Sequence, residues 1–72
     1  MRKIRFIGWR PGMNKIKFVR LLNEDVGFTL QEAKIIKDNI VDGQVIEISV
    51  LAEQYDQIIS DVSKCGIIVE MN

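Results

Sequence analysis

Histidine is absent from these 72 residues, and cysteine, proline and tryptophan occur once each. Without an imidazole the single thiol has no base to activate it, and the common nucleophile–base pairs and most transition-metal sites lack their donors. A lone cysteine closes no internal disulfide. No apolar run approaches the roughly 20 residues of a membrane span, and no signal-peptide pattern precedes Arg2, so a reducing cytoplasm is the expected setting. Net charge is zero, which argues against wholesale wrapping of nucleic acid. Glu24-Asp25 has neither a glycine-rich phosphate loop nor a second clustered pair beside it, and calcium-loop spacing is missing. The expectation is a non-enzymatic domain with no cofactor and no metal.

What is present suffices for one core. Hydrophobic residues make up 47% of the chain, and its length suits a single domain over residues 1–72, with a net stability of about 3–5 kcal/mol. The zero net charge conceals an asymmetry. Arg2, Lys3, Arg5, Arg10, Lys15, Lys17 and Arg20 fall within the first twenty residues with no acid among them, so the remainder carries −7. Either folding interleaves these charges, or a cationic rim is left on the first strand and helix to attract an acidic partner.

Alternation over Lys3–Trp9 predicts a strand, with Ile4 and Phe6 on one side and Arg5, Ile7 and Trp9 on the other, ended by Arg10-Pro11-Gly12. A basic, apolar-rich helix follows from Asn14. Gly27 sits where a left-handed residue would stop it, and Phe28 is placed to fold back onto Leu22. Thr29 and Glu32 then have capping-box spacing, with Phe28 as the staple facing Ala33, so the second helix starts at once and a rigid two-helix corner results. Asp42-Gly43 turns the chain into a half-buried strand over Val45–Val50, with Ile46, Ile48 and Val50 facing one way and Glu47 and Ser49 the other. Tyr55, Ile58, Ile59 and Val62 mark an amphipathic helix within Ala52–Cys65. Gly66 ends it, with Cys65 as a small buried hydrophobe, and Ile67–Met71 forms the last strand. No repeat, linker or low-complexity segment interrupts this β-α-α-β-α-β order. The fold class is α+β: a two-layer sandwich, its three-stranded sheet covered on one face by three helices.

The first helix carries more apolar surface than one buried face requires. At 100° per residue, Leu21, Phe18, Leu22, Val26, Val19 and Ile16 cover roughly 220°, against a stripe on the order of 100° or somewhat more for a one-sided helix. With Phe18 and Leu22 inward, Ile16 and Val19 fall at the rim beside Lys15, Arg20 and Asn23. That rim is either covered by the second helix or sheet, or free for a partner.

The element order, together with Asn14-Lys15-Ile16, Gly27, Leu30-Gln31-Glu32-Ala33-Lys34 and a final helix closed by Gly66 before a Val-Glu strand, resembles the C-terminal domain of the bacterial ribosomal stalk protein over nearly the whole chain. The resemblance implies a module that recruits translational GTPases, such as elongation factors Tu and G, through its first helix and the start of the second. It carries over Lys15, Ile16, Val19, Arg20 and Lys34, with Arg20 replacing a lysine. Asn23 stands where the family usually has an arginine, Lys17 replaces a small residue, and Ile35 occupies a position where an acid is common. The family's dimerisation segment and hinge have no counterpart before Met1-Arg2, so a free-standing relative is expected.

The candidate partner-binding set is therefore Lys15, Ile16, Val19, Arg20, Asn23 and Lys34. Ile7 and Trp9 are a possible second patch, or a homodimer contact, on the open sheet face; Trp9 at a strand end can equally pack under a loop. Two other functions stay open: an immunity, antitoxin or phage-encoded protein neutralising one dedicated partner, and an RNA-binding domain using the basic first strand.

Overall fold

The computed structural model describes residues 1–70. The elements run β1 (Arg2–Trp9), α1 (Lys15–Leu21), a π-helical turn (Leu22–Val26), α2 (Leu30–Val41), β2 (Ile46–Val50), a 3-10 turn (Ala52–Gln54), α3 (Tyr55–Lys64) and β3 (Ile67–Glu70). This is the expected β-α-α-β-α-β order; Met71, placed by the sequence in the last strand, lies outside the described residues.

The sheet order is β2-β1-β3, and both pairings are antiparallel. β2 and β3 therefore run in the same direction with β1 between them, and α3 carries the chain across it. The long central strand holds the sheet together from the inside, where Ile4 and Phe6 are 1% and 0% exposed. Phe6 meets Phe18 of α1 edge to face, with ring centroids 5.5 Å apart and planes at 86°, an orientation that sets the positive ring edge against the negative face. Leu22, Ala33, Ile40, Ile58, Val62 and Cys65 complete the buried layer between sheet and helices. Desolvation is the main cause holding the Cys65 thiol above its ordinary value, as befits a small core hydrophobe.

Two irregularities depart from the sequence pattern. Helix α1 does not continue as α to Gly27. From Leu22 it widens into a π turn, and the amides of Gly27 and Phe28 both donate to the Leu22 carbonyl at 3.1 Å. Gly27 takes the left-handed conformation, φ 101°, so the stop is where glycine predicts it but is wound one residue wider. The second irregularity is a bulge in β1. Phe6 faces Val69 and Gly8 faces Ile68, which leaves Ile7 without an opposite number on β3 and resets the alternation beyond it.

The bulge corrects the expected position of Trp9. Residues opposite each other in a ladder share a side, and Trp9 lies opposite Ile67, which is 3% exposed and points into the core. Trp9 is thus on the helix side, where its indole Nε1 donates to the Val41 carbonyl at the end of α2, at 3.2 Å. At 38% exposed it is tied to the end of α2 and does not share a face with Ile7.

The open sheet face is a ladder of charge. Arg5 lies between Glu47 on β2, at 3.9 Å, and Glu70 on β3, at 2.9 Å, while Lys3 reaches Glu47 at 3.6 Å. Hydrogen bonding to Glu70 is the main cause raising the Arg5 pKa. Ile7, 44% exposed, stands beside these pairs, and Ile68, opposite Gly8 and alternating with the core-facing Ile67, shares the face.

Candidate functional site

The corner between α1 and α2 is built from local chemistry. Asn14 caps α1 by accepting the Lys17 amide at 3.0 Å. Thr29 and Glu32 form the reciprocal capping box: Thr29 Oγ1 accepts the Glu32 amide at 3.1 Å, and the Glu32 carboxylate accepts the Thr29 amide at 2.9 Å. That backbone hydrogen bond, then the Thr29 side chain, hold Glu32 below its ordinary pKa of 4.5. Between the helices, Asn23 Nδ2 donates to the Phe28 carbonyl at 2.7 Å. The amide nitrogen of Asn23 therefore braces the corner.

With the corner fixed, the two helices leave a groove of about 470 Å³ along their outer seam. One flank is Lys15, Ile16, Val19, Arg20 and Asn23; the other is Leu30, Lys34, Lys37 and Asp38, with Glu24 at one end. Both sets follow the three-and-four spacing that stacks side chains on one face of a helix. All six residues singled out from the sequence line this one groove. Leu30, which sequence reasoning did not assign to the site, stands four residues before Lys34 in the first turn of α2, and that spacing was the available signal.

Its apolar part is graded by depth. Val19 is 9% exposed and belongs to the core cluster, so it forms the floor. Ile16 is 82% exposed and Leu30 52%, so these stand as the two walls. The expectation that Ile16 and Val19 both lie free at the rim is corrected at Val19: α1 seats it against the core and leaves its outer surface to the groove. Ile16 is left uncovered by its own domain.

The charge along the groove is positive. Four cations, Lys15, Arg20, Lys34 and Lys37, stand against two acids, Glu24 and Asp38. Arg20 is paired with Glu24 at 3.7 Å on the exposed surface, and Lys37 contacts its neighbour Asp38. Among the described residues Lys15 and Lys34 have no acidic group within 4.0 Å, and they line the groove from the two helices. Folding thus pairs part of the basic N-terminal stretch with acids, Lys3 and Arg5 on the sheet and Arg20 on α1, while Arg2 keeps its charge with its guanidinium stacked 3.7 Å from the Tyr55 ring centre. It leaves Lys15 uncompensated at the groove.

Chemically, the arrangement offers an apolar slot lined also by two lysines, Lys15 and Lys34, that no acid among the described residues pairs. Among the described residues there is no cluster of three or more Cys, Asp or Glu side chains placed to hold a metal ion, and no helix is long and apolar enough to cross a membrane. No protein-family model, curated protein or solved structure significantly matches the chain.

Proposed function

We propose that this chain is a non-enzymatic protein-interaction module that docks a partner in the α1/α2 groove, and that the partner is a cytoplasmic translational GTPase presenting an acidic, apolar-tipped surface. The observation that carries this reading is Ile16. It is an isoleucine left 82% exposed beside a slot floored by Val19 and walled by Leu30, with Lys15 and Lys34 on its lining and no carboxylate among the described residues paired to either. Apolar side chains gathered in a concave site supply affinity, while flanking charges steer encounter and select the sign of the partner. Support for the class of partner comes from the resemblance to the ribosomal stalk C-terminal domain, whose contact positions coincide with Lys15, Ile16, Val19, Arg20 and Lys34.

Calorimetric titration of purified elongation factors Tu and G into the protein tests the reading. Ile16→Asp sets a carboxylate in the slot while touching nothing in the core, so it is expected to weaken binding by about 2 kcal/mol or more, roughly 30-fold, with no change in thermal stability. Lys15→Glu is expected to slow association and flatten its dependence on salt. Equal affinity for the wild type and Ile16→Asp would reject the groove as the contact, and absence of binding by either factor would reject the partner class.

A further inference from the structure

In the sheet order β2-β1-β3, β2 is an edge strand whose outer row of backbone amides and carbonyls has no strand beside it. Such a row templates another strand unless the chain blunts it with a very short strand, charged side chains, proline or a bulge. β2 has no proline and no bulge, and one charge, Glu47: its residues are Ile46-Glu47-Ile48-Ser49-Val50, and its pairing with β1 runs without a register shift. Instead it is bracketed by two exposed apolar side chains, Val45 at 53% and Leu51 at 48%.

The strand's own sequence identifies the occupant. When β2 meets a second copy of itself antiparallel, the register is set by the residue on the twofold axis. Pairings that keep both cores on one side of the joined sheet match odd positions with odd and even with even. Centring on Glu47 sets two carboxylates face to face, and centring on Ser49 sets Glu47 against Leu51; registers centred further out shorten the overlap. Centring on Ile48 brings Val45 opposite Leu51 of the second copy at both ends, Glu47 opposite Ser49, and Ile46 opposite Val50. Leu51 is itself extended, φ −64° and ψ 139°, so the ladder can run that far. In this register the two Glu47 side chains approach diagonally, and each is already flanked by Lys3 at 3.6 Å and Arg5 at 3.9 Å in its own chain. α2, which packs across β1 and β2, carries Ile35, 52% exposed and outside the groove.

We propose that two copies of this chain pair antiparallel through the free edge of β2, centred on Ile48, to form a continuous six-stranded sheet. The α1/α2 groove lies on the other flank of α2 and stays open in both copies.

A strand pair of this length sits at the small end of specific interfaces, so sedimentation equilibrium is run up to about 0.5 mM protein. The wild type is expected to show a monomer–dimer equilibrium. Ser49→Glu places an acid opposite Lys3 in its own chain and opposite Glu47 in the second copy; it is expected to be monomeric at every concentration with an unchanged urea midpoint. Single substitutions Val45→Cys and Leu51→Cys report the register. Mixed, their thiols come opposite each other at disulfide distance, while either variant alone holds its two thiols about 20 Å apart; the native Cys65 is buried. Cross-linked dimer on mixing, and not from either variant alone, is the expected result. A monomeric wild type at 0.5 mM, a dimer that survives Ser49→Glu, or cross-linking of each variant alone as readily as of the mixture would overturn the proposal.

Discussion

Val19 and Ile16 lie on the same flank of α1, yet their truncation is expected to cost the fold very different amounts. Val19 is 9% exposed within the core cluster and Ile16 is 82% exposed. Val19→Ala deletes two buried carbons, worth about 0.8 kcal/mol each in transfer free energy, or about 1.6 kcal/mol in all. A cavity contribution adds a few tenths, kept small because Val19 borders the groove and water can fill part of the space. The expected loss is therefore about 2 kcal/mol, a fall in Tm of about 8–16 °C for a domain of this size. Ile16→Ala is expected to stay within about 0.5 kcal/mol of the wild type, as exposed substitutions generally do. Urea unfolding followed by Trp9 fluorescence measures both, with an unchanged m-value as the check that neither variant alters the denatured state. Equal losses from the two substitutions, or a Val19→Ala variant as stable as the wild type, would refute the assignment of Val19 as floor and Ile16 as wall.

Gly27 and Gly66 share a left-handed backbone, φ 101° and 96°, but an added Cβ would meet nothing within 4 Å at Gly27 and would lie 3.1 Å from Met13 Cα at Gly66. Gly27→Ala is expected to cost about 1–2 kcal/mol from backbone strain alone, and Gly66→Ala more, because Met13 must also move; denaturant midpoints rank them. At the capping box, the Glu32 pKa is lowered in the folded state, so its charge stabilises the protein above the unfolded value near 4.5 and that contribution is lost as pH falls through the folded value. Comparing Glu32→Gln with the wild type across pH is expected to show a stability gap at pH 7 that closes below pH 4.5; a gap independent of pH would contradict it. Thr29→Ala removes the other half of the box and is expected to cost about 1 kcal/mol at pH 7.

The parts of the fold legible in the sequence are those whose causes are local. Gly27, Thr29 and Glu32 lie within six residues of one another, and their stop-and-start chemistry works through adjacent amides, so the corner could be written from the letters. The alternation of Ile4 with Phe6 and of Ile46, Ile48 and Val50 likewise needs no knowledge of partners. What was not legible depends on distant chain. The bulge at Ile7 exists because Phe6 and Gly8 must take successive partners on β3, and alternation read along β1 alone put Trp9 on the wrong face. The ladder joining Arg5 to Glu47 and Glu70 depends on the strand order, which the pattern left open. In the groove, the helical wheel placed Ile16 and Val19 at one rim, but their different depths follow from how α1 seats on the core. The tie from Asn23 to the Phe28 carbonyl likewise depends on the π turn that brings the two together.

The account rests on the α1/α2 groove being the surface this domain offers to a partner. Backbone amide spectra of the isotopically labelled protein, recorded while unlabelled elongation factor G is added, test that most directly. The account predicts that the signals perturbed first and most are those of Ile16, Val19, Leu30 and Lys34, on both walls of the groove, with β3 and the C-terminal half of α3 unaffected. Perturbations confined to β3 and α3, or spectra that do not change at saturating factor, would contradict it.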